Sequence, residues 1–81
     1  MIKSKEFREW MKENTSYSYN VINDTVSRMR RADNIREWDE TNTYLFFLEQ
    51  DDKFKSISGH VKSQIRKAVR LYYSFSNIVI S

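Results

Sequence analysis

An all-α domain is the expectation for this chain, and two observations carry it. With no Pro and a single Gly in 81 residues, the sequence lacks the recurrent turn signals of an all-β protein. Its apolar residues also recur at i, i+3, i+4, the spacing of one buried helix face. A hydrophobic fraction of 40% and an aromatic fraction of 15% are enough for a core, so the chain should fold as one small domain.

The elements follow in order. Ser4 is a candidate cap for a first helix in which Phe7, Trp10 and Met11 form the buried stripe, ending near Asn14. Thr15, Ser16 and Ser18 are candidate caps for a longer second helix, with Tyr19, Ile22, Val26 and Met29 facing inward and an end near Asp33. Arg28, Arg30 and Arg31 cluster in its last turns, serving either the helix dipole or an anionic ligand. Asn34 to Trp38 reads as a connection whose Ile35 and Trp38 tuck back onto the core. Asp39, Thr41 or Thr43 can cap a third helix holding Tyr44, Leu45, Phe46, Phe47 and Leu48, a run that predicts burial from more than one side. Gln50 to Lys55 is expected to be a loop.

The last helix, from Ser56 or Ser58 to Phe75, sorts its residues most sharply. At about 100° per residue, Ile57, Val61, Ile65, Ala68, Tyr72 and Phe75 fall within about 80° of one another, while Gly59, Ser63, Arg66 and Arg70 lie opposite. The expected domain is 1–76, and 77–81 is an apolar C-terminal tail or the start of a linker, with strand, docked tail and linker all open.

Charge adds direction to this picture. The net charge of +3 is mild, but residues 39–52 hold Asp39, Glu40, Glu49, Asp51 and Asp52 without a Lys or Arg, whereas residues 53–81 hold six Lys and Arg without an acid. The last helix therefore offers a basic, small-residue edge through Ser58, Gly59, His60, Lys62, Ser63, Arg66, Lys67 and Arg70. Nucleic acid is the leading partner for such an edge, because phosphates seek cations and exposed backbone N–H groups. An exposed, solvated helix face is the plainer reading of the same residues.

Other chemistries find little support. Cys is absent, His60 is the lone His, and one Gly cannot build a phosphate loop, so no catalytic constellation and no cofactor is expected. Glu49, Asp51 and Asp52 lack the glycine and alternation of a calcium loop and read as a solvated turn, so no metal is expected either. Trp10, Trp38, Tyr44, Phe47, Tyr72 and Phe75 fit core packing better than a stacking platform for bases. No apolar run approaches the roughly 18 residues of a membrane span, and no secretion signal opens the chain, so a soluble, cytoplasmic protein without a membrane partner is expected.

One family resemblance gathers these features. Phe7-Arg8-Glu9-Trp10, the Thr15/Ser16/Ser18 start of a long helix, Tyr44-Leu45-Phe46-Phe47-Leu48-Glu49, and the stretch Val61 to Phe75 together resemble the N-terminal core-binding domain of tyrosine recombinases and phage integrases, over about nine tenths of the chain. The resemblance implies a small four-helix SAM-like bundle that packs against duplex DNA, with catalysis residing in a separate C-terminal domain of a longer chain. It implies phosphate contacts at Thr15, Ser16 and Ser18, and a groove-facing role for Ser58, Gly59, Lys62, Ser63, Arg66 and Arg70. The expected function is therefore a duplex DNA-binding module without catalytic activity of its own. The alternative is a small helical protein-interaction or oligomerisation module, such as a stand-alone phage or mobile-element protein, acting through Trp38, Tyr73 and Ile78-Val79-Ile80.

Overall fold

Helical spacing in the sequence becomes helical structure nearly throughout. The computed structural model describes residues 1–80 in backbone and 1–77 in side chains. These fold into α1 (Ser4–Asn14), α2 (Tyr19–Ile35), α3 (Tyr44–Gln50), α4 (Asp52–Lys55) and α5 (Gly59–Ile80), with no strand among the described residues. The chain is all-α.

α5 is the central element, because the residues expected to share one face do share it. Ile65, Ala68, Tyr72 and Phe75 are buried together with Val69, and Val61 and Ile57 pack at the margin. α2 lies along this seam with Ile22, Val26, Met29 and Ala32, and α1 packs against both helices through Phe7 and Met11. Each fully buried Ile, Val, Met or Phe among them contributes about 1.5–3 kcal/mol of apolar burial. Phe7 meets the edge of Tyr72 at 4.9 Å and lies 5.4 Å from Phe75, and the Lys3 backbone N–H donates to the Tyr72 hydroxyl at 2.9 Å. The first turn of the chain is thereby tied to its last helix.

Local chemistry explains the boundaries. Ser18 is the N-cap of α2, its hydroxyl accepting from the Val21 N–H at 3.3 Å. α2 runs two residues past the expected Asp33, since the Asp33 carboxylate instead accepts from the Trp38 N–H at 2.9 Å and draws the connection back over the core. Trp38 is accordingly buried, 4.9 Å from Tyr44 and 5.2 Å from Tyr72, and Ile35 is partly buried, as the sequence led one to expect.

Five expectations need correction. Tyr19, expected on the inward face of α2, is 71% exposed, because it is the first residue of the helix, a turn ahead of Ile22 where burial begins. Ser4 does not cap α1; that position falls to Lys3, and the Ser4 hydroxyl instead accepts from Arg30 Nε at 3.2 Å. The expected loop at Gln50 to Lys55 contains the single-turn α4, because the Asp51 carboxylate caps the Lys53 N–H at 2.8 Å and Phe54 drops into the core. In α3 only Tyr44 and Leu48 are buried, while Phe46 is 62% and Phe47 46% exposed. With two turns and one neighbouring side to pack on, α3 hides i and i+4 and turns the intervening pair outward. The backbone of the expected tail continues α5 through Ile80, one unbroken helix; Ser81 and the side chains of Ile78, Val79 and Ile80 lie outside the described residues.

Candidate functional site

The outer face of α5 follows from its inner one. Opposite the Ile65–Tyr72 seam, Gly59, His60, Ser63, Lys67, Arg70, Ser74 and Asn77 are all exposed and form one continuous stripe. The helix contains no Asp or Glu, so the stripe holds small, polar and cationic groups only. Lys67 and Arg70 make no ion pair among the described residues, and their charge stays available to an anion.

The beginning of the stripe is a helix N-terminus. Ser58 supplies the cap, its hydroxyl accepting from the Val61 N–H at 3.4 Å, and Ser58, Gly59 and His60 are exposed around it. An added Cβ at Gly59 would meet nothing within 4 Å, so the approach to these first N–H groups is open. His60 Nε2 lies 3.2 Å from the Gln64 amide nitrogen, which holds the ring along the helix.

Two of the expected cations are half-buried, and one of them is paired. Arg66 is half-buried, with Nε and Nη2 both 2.7 Å from Glu49 Oε1 and its guanidinium 5.7 Å from the Phe54 ring. The expectation of an exposed Arg66 is thus corrected: the α3–α4 turn brings a carboxylate 17 positions earlier in the chain against it. Lys62 is also half-buried, its ammonium 6.0 Å from the Phe54 ring centroid, but it has no acidic partner among the described residues.

The residues at the start of α2 divide their roles. Ser16 and Ser18 are exposed, whereas Thr15 is half-buried, donating to the Met11 carbonyl at 2.7 Å and accepting from the Tyr17 N–H at 3.2 Å. This turn sets Tyr17 beside α5, where the Lys67 ammonium lies 5.9 Å from its ring. A groove of about 140 Å³ results between α2 and α5, lined by Tyr17, Val21, Thr25, Arg28, Gln64 and Lys67 among others, with no carboxylate in its lining. The two stretches that the sequence singled out separately, 15–18 and 58–70, therefore meet at Tyr17 and Lys67. Arg28 joins them by standing one and two turns beyond Thr25 and Val21, a spacing that sequence reasoning could have used.

Other features had no clear sequence signal. The outward Phe46 and Phe47 rings sit 5.3 Å apart edge to face, with the Arg36 guanidinium 5.0 Å from Phe47. Phe47 was expected in the core with Trp38, Tyr44, Tyr72 and Phe75, which are buried, and Trp10, which is partly buried. Glu49 and Asp51 spend their carboxylates on Arg66 and on the α4 cap. No helix among the described residues is long and apolar enough to cross a membrane. Comparison with known proteins finds no family model, no curated protein and no solved structure that matches the chain.

Proposed function

We propose that the chain is a duplex DNA-binding module that grips phosphates along the outer face of α5 and has no catalytic role of its own. The observation that carries this reading is the acid-free stripe from Gly59 to Asn77, in which Lys67 and Arg70 are exposed and unpaired among the described residues. At 1.5 Å per residue the stripe is about 27 Å long, comparable with the roughly 34 Å of one duplex turn. The groove holding Arg28, Gln64 and Lys67 extends the positive surface toward Ser16 and Ser18. Arg66 contributes less than the sequence implied, because Glu49 neutralises it. The resemblance to recombinase core-binding domains points the same way and would place the chemistry in another domain.

Phosphate binding of this kind releases counterions and weakens steeply with salt. With about four neutralised phosphates, affinity should fall roughly a hundredfold between about 50 and about 200 mM salt. The double variant Lys67→Ala, Arg70→Ala should reduce the logarithmic salt slope by about two while leaving the helical signal unchanged. Fluorescence anisotropy with a labelled duplex measures both; binding that ignores salt would refute the proposal.

One observation favours a second reading. The exposed Phe46–Phe47 pair is an aromatic patch of the sort found at protein interfaces, supporting a protein-interaction module that docks through α3. This patch replaces Trp38 as the basis of that alternative, since Trp38 is buried.

A further inference from the structure

A separate concavity lies between α5, α3 and the 39–43 loop, away from the Tyr17–Lys67 groove. Its volume is about 350 Å³, at the small end of ligand sites. Trp38, Tyr44 and Val69 form its buried floor, and Leu45 and Tyr73, both half-buried, form its walls. Trp38 and Tyr73 stand edge to face at 6.4 Å; Trp38 is buried, so the half-buried Tyr73 ring is the aromatic surface that the cleft offers.

The rim is polar and one-signed. Arg70, Asn42, Thr41 and Ser74 complete the lining, and no carboxylate takes part. Arg70 belongs to this cleft and to the exposed stripe of α5 at once. The Asn42 side chain makes no hydrogen bond among the described residues, leaving an amide donor and acceptor free at the mouth. The loop that presents it is held in advance: Asp39 accepts from the Thr41 N–H at 3.1 Å and from its hydroxyl at 2.8 Å, and Glu40 sits at φ 64° in the left-handed region.

An aromatic wall, one unpaired cation and one free amide match the three parts of a nucleotide: planar base, anionic phosphate, and hydrogen-bonding base edge. We propose that this cleft is a nucleotide site, receiving an unpaired base against Tyr73, above the buried Trp38 floor, while Arg70 holds the phosphate attached to it. The proposal deepens the DNA reading and rests on it through the shared Arg70. An unpaired nucleotide within a duplex and a free mononucleotide carry the same recognised groups, and two binding arms separate them.

In the first arm, a paired duplex is compared with the same duplex bearing one extrahelical thymidine. The bulged duplex should bind about tenfold tighter, a modest return for one stacked base. Tyr73→Leu, which keeps apolar volume but removes the aromatic face, should abolish that preference and leave paired-duplex affinity unchanged. In the second arm, thymidine monophosphate is titrated while amide resonances are followed by NMR. Shifts confined to 38–45 and 69–74, lost in Tyr73→Leu and in Asn42→Ala, support the site. Tight, salt-dependent binding of paired duplex with neither a bulge preference nor mononucleotide shifts would overturn the nucleotide site and spare the phosphate reading. Mononucleotide shifts without duplex binding would do the reverse and make the free nucleotide the ligand. A bulge preference that survives Tyr73→Leu, with shifts outside the cleft, would also overturn the site.

Discussion

Arg66 shows how one contact redistributes charge. Two of its nitrogens converge on one oxygen of Glu49, and the two side chains keep about a third of their surface in water, at 30% and 35%. A pair this accessible is worth no more than about 1 kcal/mol. Glu49→Gln should therefore lower thermal stability only slightly, while releasing the Arg66 guanidinium to a duplex and strengthening binding several-fold at low salt. The comparison is made by melting and anisotropy on the same preparations; unchanged affinity would mean that Arg66 cannot reach the DNA. The pairing was not legible in the sequence, because Glu49 and Arg66 are 17 positions apart and only the fold of α3 and α4 joins them. The exposure of Gly59, Ser63 and Arg70 was legible, since it follows from helical angle alone once the opposite face is known to be buried.

Among the elements, legibility tracked length. α5 and α2 repeat their apolar spacing over several turns, and their inward faces were read correctly except at Tyr19, the first residue of α2, which points to solvent. α3, with seven residues, has too few turns for periodicity to separate inward from outward positions, and a run of five apolar residues suggested all-round burial. α4 depends on the Asp51 cap and the burial of Phe54, local events that a charged stretch conceals. The outward aromatics of α3 provide the element-scale test of the second reading. Phe46→Ser with Phe47→Ser should cost little stability, because neither ring belongs to the buried core, Phe46 being 62% and Phe47 46% exposed. Under the interaction reading the pair of substitutions abolishes association in sedimentation experiments; under the DNA reading it leaves duplex affinity unaltered.

Across the whole molecule, two buried tyrosines link stability to alkali. Burial, reinforced by the charges of Asp33 and Asp39, pushes the Tyr44 hydroxyl pKa far up, and its proton is engaged by the Arg36 carbonyl. Burial likewise raises Tyr72, against the opposing effect of the Lys3 N–H bond. An acid whose pKa is raised by folding contributes stability in full below its unfolded value and loses it as pH climbs toward the folded value. Urea midpoints should therefore hold steady up to about pH 10, the unfolded tyrosine pKa, and decline above it. Tyrosinate absorbance should show a late fraction that appears only with unfolding, reduced in Tyr44→Phe. At this scale the sequence revealed the charge asymmetry between residues 39–52 and 53–81 but not its partial cancellation, which requires the acidic turn to fold back onto α5.

The two indoles pack on neighbouring rings of the same helix, Trp10 5.8 Å from Phe75 and Trp38 5.2 Å from Tyr72. Only Trp38 borders the cleft beside Arg70. Intrinsic emission thus offers a built-in pair of reporters: an occupant of that hollow should alter the Trp38 component and leave Trp10 silent, whereas disruption of α5 itself should move both together.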